Sequence, residues 1–384
     1  MQRYLFEFIK ADLHNKIILL SGPRQAGKTT LARSLVQDHE YLNWDNIDDR
    51  VTIIKKSWRR SASAVVLDEL HKMPKWKLFL KGIWDGKTSK QAIIVTGSAR
   101  LDTFRKVGDS LAGRFFPFRL HPFDVREFQQ AQKNGPEKPP EPQTPLEQLQ
   151  RILASSNFPE PYLEGSATFY NRWKKSHLDI ILRQDLLDFE SVHEINKVET
   201  LIALLASKVG SPISVQALAN DLQASDKSVR RWITILESLF VVFKISPYSS
   251  KIARSLLKAQ KIYFYDIGRI TAGPGAKFEN LVACALLKEI DRRQDCLGEE
   301  FQLHYLRDRN GQEIDFLISH NSKPKLAIEA KLSDTQPVSA FRTFCEQLSL
   351  KHALQVVAEP ERERSFASGL DIISAKRYLS EVCF

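Results

Sequence analysis

The sequence predicts an α/β protein that begins with a parallel sheet covered by helices on both faces. In residues 1–130, short apolar runs alternate with stretches whose apolar residues recur at helical spacing. Strands that alternate with helices form parallel sheets, because each helix carries the chain back across the sheet. A glycine-rich run directly follows the first apolar run. The predicted strands are Ile17–Leu20, Tyr41–Trp44, Ala64–Leu67 and Ile93–Thr96.

The bulk composition is that of a globular chain with several domains. At 384 residues the chain is too long for one compact core, and we expect about two to three domains. No apolar run approaches the ~18 residues that cross a bilayer, so we expect no membrane association. The four cysteines lack the spacing of a zinc site or a disulfide framework, which favours a cytoplasmic protein. A formal net charge of +10 favours an anionic partner.

Changes in composition divide the rest of the chain. Residues 131–145 contain five prolines and a glycine with almost nothing apolar, which indicates an exposed loop or linker. Residues 146–206 have apolar side chains spaced three and four apart, which predicts helices. We expect a separate unit over residues 207–275 and a last α/β block over residues 276–384.

The glycine-rich run has the spacing of a phosphate-binding loop. Residues 22–29 read GPRQAGKT, which matches G-x-x-x-x-G-K-[ST] between the first strand and a predicted helix, Thr29–Leu35. Its backbone N–H groups would wrap the phosphates of ATP at the start of a helix. Lys28 would reach the β- and γ-phosphates, and the Thr29 hydroxyl would ligate Mg2+. A glycine-rich turn without a ligand is the alternative. The predicted nucleotide-binding residues here are Gly22, Pro23, Arg24, Gln25, Ala26, Gly27, Lys28, Thr29 and Thr30.

Polar residues end the next two strands that we expect beside this loop. Asp68 and Glu69 follow the run Ala64–Leu67. Asp68 would order Mg2+, and Glu69 would act as the general base for the attacking water, which predicts ATP hydrolysis. Thr96 and Ser98 could sense the γ-phosphate from the following strand. The alternatives are a strand with a solvated acidic end and a plain strand-to-turn ending.

Four segments of the chain together resemble a prokaryotic group of AAA+-superfamily ATPases. In order they read GPRQAGKTT, VVLDELHKMPKW, IIVTGSARL and LAGRFFPFRLHPF, and NFPEPYL and YFYD extend the likeness over nearly the whole chain. The resemblance implies a P-loop AAA+-like core over residues 1–130, a helical lid over residues 146–206, and a homo-oligomer, with a hexamer as one arrangement. Arg114 matches the arginine of the group's Leu-x-Gly-Arg and is implied as an arginine finger or sensor. A salt-bridge arginine is the alternative.

Residues 207–275 are predicted to form a winged helix-turn-helix. A short helix, a turn at Ala224–Ser225, a second helix and the strand Val241–Ile245 follow in the order of that motif. Basic residues on the second helix would project outward to contact DNA phosphates or the major groove. The alternative is a module that contacts protein or packs on the ATPase domain as a lid. The predicted DNA-contacting residues are Lys227, Arg230 and Arg231, and the predicted buried face of that helix is Val229, Trp232, Ile233 and Leu236.

The last block is predicted to bring acidic residues and a lysine together on neighbouring strands. Asp315 lies on the strand Ile314–Ile318, while Glu329 and Lys331 share a face of the neighbouring strand. Asp315 and Glu329 would hold Mg2+, and Lys331 would stabilise or deprotonate the attacking water. Glu279, on the preceding helix, would be a third acid. An ordinary hairpin with a salt bridge is the alternative.

This block resembles the PD-(D/E)XK restriction-endonuclease-like core, and the same prokaryotic group carries such a core at this place. The predicted order of elements agrees, although no proline precedes the first acid. Such cores also persist as inactive binding folds. The sequence therefore predicts an ATPase that acts on DNA, coupled to a Mg2+-dependent nuclease-like domain. The alternative is a nucleotide-dependent switch that binds DNA or protein and cleaves nothing. The remaining predicted elements are the helices Phe278–Ile290 and Val338–Leu348 and the strands Leu303–Leu306, Leu326–Ala330 and Leu354–Val357.

Overall fold

The computed structural model places most of the chain in regular elements. It describes residues 2–86, 91–98, 111–128, 144–185, 194–249, 259–333, 336–359 and 363–384. The predicted proline-rich segment lies outside these ranges except for Thr144 and Pro145. The helices are α1 (Phe6–Asp12), α2 (Lys28–Ser34), α3 (Ile47–Lys55), α4 (Trp76–Asp85), α5 (Pro145–Ala154), α6 (Pro159–Glu164), α7 (Ala167–Ile180), α8 (Ile195–Ala206), α9 (Val215–Asp221), α10 (Asp226–Ser238), α11 (Pro274–Arg292), α12 (Ala340–Leu348) and α13 (Ala375–Ser380). The strands are β1 (Ile17–Ser21), β2 (His39–Asn43), β3 (Ala64–Asp68), β4 (Ala92–Gly97), β5 (Phe115–Arg119), β6 (Val242–Pro247), β7 (Lys261–Phe264), β8 (Phe301–Arg307), β9 (Glu313–His320), β10 (Lys323–Lys331), β11 (Ala353–Val357), β12 (Arg364–Ser365) and β13 (Leu370–Ser374).

The amino-terminal sheet is parallel, as predicted. Its described strands lie in the order β2-β3-β4-β1-β5. Alternate residues of the central strands enter two cores, one on each face: Ile17 and Leu19 enter one, and Ile18 and Leu20 enter the other. Burial of both faces explains why these strands read as continuous apolar runs. The predicted α/β fold is confirmed.

The edge strand β5 was not predicted from the sequence. Its residues read FFPFR, and Pro117 cannot donate a hydrogen bond to a ladder. An edge strand tolerates this proline, because only one of its sides pairs with a neighbour. Here β5 pairs only with β1 in the described sheet, and Pro117 lies opposite Leu19.

The helices α5 to α10 follow the predicted helical pattern. Thr144 caps α5 through a capping box with Glu147, and Ser225 caps α10 by accepting a hydrogen bond from the Ser228 N–H. The helices share one apolar core with β6, β7 and the carboxy-terminal sheet, and this core runs from Phe123 to Val382. Among the described residues, no helix is both long enough and apolar enough to cross a bilayer.

The second sheet is mixed and joins two units that the sequence separates. Its described strands lie in the order β12-β13-β11-β10-β9-β8-β6-β7. Helix α12 provides the crossover between the parallel strands β10 and β11, while β8, β9 and β10 are antiparallel. Ser246 of β6 pairs with His304 of β8, so the sheet is continuous from the unit at 207–275 into the last block. The predicted strands of this block are present, and β12, β13 and α13 extend it beyond the prediction.

Candidate nucleotide site and carboxyl cluster

The loop after β1 has a backbone that depends on glycine. Gly22 has φ 148°, and a Cβ atom there would lie 2.3 Å from the carbonyl oxygen of Leu120. Gly27 has φ 91° and begins α2 in the left-handed region. The side chain of Lys28 is buried, with Nζ 3.0 Å from the carbonyl oxygen of Gly22 and 2.7 Å from that of Pro23. The lysine ammonium therefore lies inside the curve of the loop.

Asp68 connects the loop to the neighbouring strands. The Thr29 hydroxyl donates to Oδ2 of Asp68 at 2.8 Å, and the Tyr41 hydroxyl donates to the same oxygen at 2.7 Å. The Thr96 hydroxyl donates to Oδ1. Strand β4 lies between β1 and β3, and Asp68 is paired with Thr96 across the ladder, which explains why Thr96 is so close. Tyr41 was missed, since the sequence gives it only as a strand residue.

Glu69 lies beside Asp68 in a conformation unusual for a residue with a side chain. Its φ is 54°, and its N–H donates to the carbonyl oxygen of Thr96 at 3.0 Å. The Ser98 hydroxyl donates to Oε2 at 3.3 Å, and Nδ1 of His71 is 3.7 Å from the same oxygen. Burial raises the pKa of Glu69 to about 6, with the charge of Asp68 adding to the rise and that of Lys28 opposing it.

The phosphate loop also contacts two groups that sequence reasoning missed. Nη1 of Arg3 donates to the carbonyl oxygen of Ala26 at 2.6 Å. Nε2 of His177, on α7, is 3.3 Å from the carbonyl oxygen of Arg24, and Nδ1 is 3.2 Å from Nη2 of Arg269. Because a guanidinium can only donate, Nδ1 accepts and Nε2 carries the proton. Burial and the charge of Arg269 lower the pKa of His177 to about 3, which agrees with a neutral ring.

Arg114 lies at the amino-terminal ends of the parallel strands, whereas the phosphate loop of its own chain lies at their carboxyl ends. It directly precedes β5, where Phe115 pairs with Ile17 at the beginning of β1. Its Nε is 2.8 Å from Oδ1 of Asp85, at the end of α4. The structure therefore shows the salt-bridge alternative and does not place Arg114 at its own chain's nucleotide site. A role across a subunit interface stays a prediction.

The basic residues of α10 are exposed, and its predicted apolar face is buried. Lys227, Arg230 and Arg231 lie on the surface. The turn between α9 and α10 and the strand β6 occur in the predicted order, whereas β7, which pairs antiparallel with β6, was not predicted. The four side chains of the buried face are Val229, Trp232, Ile233 and Leu236.

The predicted residues of the last block belong to one carboxyl cluster, which we define as Glu279, Glu313, Asp315 and Glu329 with the lysines that bind them. Glu313 was not predicted from the sequence. The N–H of Asp315 donates to Oε2 of Glu329 at 3.0 Å, and Nζ of Lys331 is 2.8 Å from Oε1 of Glu329. Burial, together with the charge of Asp315, raises the pKa of Glu279 and that of Glu329 to about 7.

Sequence reasoning missed Lys261 of β7, which also belongs to this cluster. Its Nζ is 3.3 Å from Oε1 of Glu279 and 3.4 Å from Oδ1 of Asp315. Within the described ranges, no group of three or more His, Cys, Asp or Glu side chains is arranged to hold a metal ion. Each carboxyl oxygen of Asp315 and Glu329, the predicted Mg2+ ligands, lies within hydrogen-bond distance of an N–H or ammonium donor of the chain in this arrangement.

Helix α11 connects the carboxyl cluster to the nucleotide domain. Glu279 lies in its second turn, and charged residues near its end pair with the end of β5 and the segment that follows it. Ion pairs this well buried hold the two regions in a fixed geometry, because separating them would leave unpaired charges out of water. These pairs are Arg126–Glu289, Arg119–Asp291, Lys288–Glu127 and Lys288–Asp124.

A phosphate loop between β1 and α2, with an acid pair at the end of β3, defines a P-loop nucleotide-binding domain. Family models agree with this class. Residues 14–129 match the model described as AAA domain. Residues 146–276 and 274–378 match two models each described as a domain of unknown function, DUF8612 and DUF4143. The chain therefore carries an AAA-type P-loop ATPase domain at its amino-terminal end.

Relatives that share most of the chain are similar at low identity. The uncharacterized protein Rv2008c of Mycobacterium tuberculosis is 23% identical over 350 residues, which cover 86% of this chain and 74% of the relative. The uncharacterized protein MJ1637 of Methanocaldococcus jannaschii is 24% identical over 374 residues, 85% of this chain and 77% of the relative. Among solved structures, the Aeropyrum pernix ORC1 protein in complex with DNA aligns with a TM-score of 0.33 and 13% identity, over 73% of this chain and 90% of that one.

Proposed function

We propose that this protein is an ATP-hydrolysing switch that acts on DNA. The observation that carries the proposal is the position of Asp68. Its carboxylate accepts a hydrogen bond from the Thr29 hydroxyl, and it lies directly beside Glu69. A hydroxyl and a carboxylate next to a lysine-containing phosphate loop are the groups that an ATPase of this class needs.

Each group of the site has a distinct task in this proposal. Lys28 and the loop N–H groups bind the β- and γ-phosphates of ATP. Thr29 and Asp68 supply adjacent hard oxygen ligands, which fit Mg2+. When bound, Mg2+ neutralises charge on the phosphates. The Thr96 hydroxyl donates to the carboxylate of Asp68, and Ser98, which donates to Glu69, would sense the γ-phosphate.

Glu69 is the general base of the proposed reaction. A carboxylate accepts a proton from water more readily when its pKa lies nearer neutrality, and burial raises the pKa of Glu69 to about 6. With its positive φ, Glu69 accepts a hydrogen bond from the Ser98 hydroxyl. The base is thus held close to the loop that would bind the γ-phosphate.

The switch depends on contacts that leave the nucleotide domain. Movement of the loop would change the hydrogen bond of Arg3 to the carbonyl oxygen of Ala26. It would also change that of His177 to the carbonyl oxygen of Arg24. Arg3 also pairs with Glu127, and Glu127 pairs with Lys288 of α11. The helices α5 to α8 would serve as the lid of the nucleotide site, and α11 would carry the nucleotide state toward the carboxyl cluster.

DNA is the proposed partner of α10. The unit over residues 207–275, with α9, α10, β6 and β7, would act as a winged helix-turn-helix, with Lys227, Arg230 and Arg231 facing phosphates. The formal net charge of +10 supports an anionic partner. A protein-binding role for the same unit is the alternative outcome.

Assembly into a homo-oligomer of undetermined number in the cytoplasm is part of the proposal. Arg114 retains 31% side-chain exposure, so a neighbouring chain's nucleotide site could receive it after its pair with Asp85 opens. Helix α3 presents an exposed apolar stripe, Ile47, Val51 and Ile54, at helical spacing. Such a stripe on a surface favours contact with another protein surface.

Metal-dependent cleavage of nucleic acid is a second candidate function. It is favoured by the proximity of Glu279, Asp315, Glu329 and Lys331, which the resemblance names as one active site. If the protein cleaves DNA with Mg2+ or Mn2+, Lys331→Ala should abolish cleavage and leave ATP turnover intact. Absence of cleavage by the wild-type protein on duplex, junction and single-stranded DNA would leave the switch as the function.

Glu69→Gln tests the ATPase proposal. The variant should bind ATP as well as wild type and lose about 10²-fold or more in turnover, because it keeps the shape of the site and loses the base. Binding is measured with a fluorescent ATP analogue and turnover by phosphate release. The control is Glu346→Gln, an exposed residue of α12 that should retain full turnover. Normal turnover in Glu69→Gln would reject Glu69 as the base.

A further inference from the structure

The ammonium group of Lys261 contacts three of the four acids of the carboxyl cluster. The side chain is 0% exposed, although lysine is among the residues least often buried. Nζ is 2.6 Å from Oε1 of Glu313, and Glu279 and Asp315 complete its surroundings at 3.3 and 3.4 Å. The lysine comes from β7, whereas the acids come from α11 and β9. Three separate elements therefore meet at one positive charge.

The acids are held around this charge by further contacts. The Tyr263 hydroxyl donates to Oε1 of Glu279 at 2.6 Å. Gly210 packs against the same carboxylate, since a Cβ there would lie 2.5 Å from Oε2 of Glu279. The N–H of Ala330 donates to Oδ2 of Asp315 at 3.0 Å. One oxygen of Asp315 thus faces a backbone donor, and the other faces Lys261.

The position of Glu329 completes this pattern. Its two oxygens accept from the N–H of Asp315 at 3.0 Å and from Lys331 at 2.8 Å. The oxygens predicted to ligate Mg2+ are therefore all bound to N–H or ammonium donors. A divalent ion needs several oxygens at about 2.1 Å, and these oxygens would have to leave their donors to provide them.

A metal ion and the Lys261 ammonium would compete for the same carboxyl oxygens. A buried ammonium is stable only when carboxylates pair with it, and the same carboxylates would have to bind the metal. The side chain of Lys261 is buried, and its strand β7 is paired with β6 along the sheet. Lysine and metal are thus alternative occupants, and the chain itself supplies one of them.

We infer that Lys261 is a resident cation of the carboxyl cluster and takes the place that a divalent metal ion holds in metal-dependent nucleases. The cluster then has a structural role that needs no metal: it fastens β7, at the end of the unit over residues 207–275, to α11 and β9. This role assigns the cluster to the switch rather than to the second candidate function.

Removal of the lysine should convert the cluster into a metal site. In Lys261→Met the acids lose their cation. The full-length variant should therefore bind about one Mn2+ ion per chain more than wild type does. That ion should disappear in the double variant Lys261→Met with Asp315→Asn. Wild type and the single variant Asp315→Asn should bind equal amounts of Mn2+. Mn2+ is measured by calorimetry without nucleotide, and circular dichroism checks that each variant is folded.

Lys244→Met is the matched control, because Lys244 lies on the neighbouring strand β6 and pairs with Glu237 at 2.7 Å, outside the cluster. It should bind as much Mn2+ as wild type. A folded Lys261→Met protein that gains no Mn2+ would overturn the inference. A loss of Mn2+ from wild type on changing Asp315 to Asn would overturn it as well. The comparison of wild type with Asp315→Asn decides the question even if Lys261→Met does not fold.

Discussion

His177 shows how one buried side chain can set the position of the phosphate loop. Its ring lies between Trp173, stacked at 4.4 Å between ring centroids, and the carbonyl group of Arg24. The ring is neutral, so it donates to the loop through Nε2 while accepting from Arg269 through Nδ1. It touches no reacting atom and acts through the loop backbone, which makes it a positioning residue.

His177→Ala should weaken ATP binding by a few fold, because about 1 kcal/mol is a typical contribution of one hydrogen bond. His177→Gln should restore much of the affinity, since its amide can also donate to the carbonyl oxygen of Arg24. Affinity is measured with a fluorescent ATP analogue at matched folded fraction. His352→Ala, an exposed histidine, should change nothing. Equal affinity in folded His177→Ala and wild type would show that the ring only fills space.

A fixed place after an apolar strand decides which site residues could be predicted. Lys28, Thr29 and the pair Asp68–Glu69 stand at fixed places after apolar strands, and the structure brings them together. Arg3 and His177 lie 23 and 153 residues from the loop residues they contact. No spacing rule links such positions, because their contacts depend on how separate elements pack.

Helix α10 carries its charges on the face turned away from the core. Three basic side chains are exposed, while Trp232 and its neighbours anchor the helix. Amphipathic spacing alone predicted this division, since a period of 3.6 residues separates buried from exposed positions. Strand β5 was missed because Pro117 interrupts the usual strand composition. Periodicity therefore predicts which face of an element is buried but overlooks an edge strand of this kind.

Reversing the charge of Lys227, Arg230 and Arg231 to Glu should weaken DNA binding strongly and lower the salt slope of log K by about 2–3, because each phosphate contact contributes about 0.9. Binding is measured by fluorescence anisotropy at several salt concentrations. The matched control reverses Lys323, Lys351 and Lys376, exposed lysines elsewhere on the chain, for the same change in net charge. Equal losses in both triple variants would indicate a net-charge effect only. An unchanged slope in the α10 variant would favour the protein-binding alternative.

At the scale of the whole molecule, the nucleotide domain and the carboxy-terminal half are joined by buried charges. The side chain of Glu289 in α11 is 1% exposed. Its Oε2 is 2.5 Å from Nη1 of Arg126, a residue that follows β5. Arg292 and Arg293 of its own helical segment bind the same carboxylate at 2.7 and 2.8 Å. The sequence predicted both units but not this junction, because nothing in a linear pattern of charges specifies a partner 163 residues away.

The same junction predicts how stability responds to acid. Burial alone would raise the pKa of Glu289, but hydrogen bonds from Arg292 and the charge of Arg126 lower it to about 2 from the ordinary 4.5. A carboxyl whose pKa is lower in the folded state stabilises the fold above its unfolded pKa, and that stability is lost as the pH falls toward the folded pKa. The contribution is on the order of 3 kcal/mol at neutral pH, and it should fade between about pH 5 and pH 2.

Glu289→Gln should therefore be clearly less stable than wild type at pH 7. The gap, which is the difference between the two proteins in free energy of unfolding by urea, should narrow as the pH falls. The glutamine keeps the shape of the side chain but leaves the guanidinium groups of Arg126, Arg292 and Arg293 without a counter-charge. Glu346→Gln, in an exposed pair, should stay close to wild type at every pH. A gap for Glu289→Gln that is the same at pH 7 and pH 3 would mean that packing, and not the charge, joins the two halves of the molecule at this point.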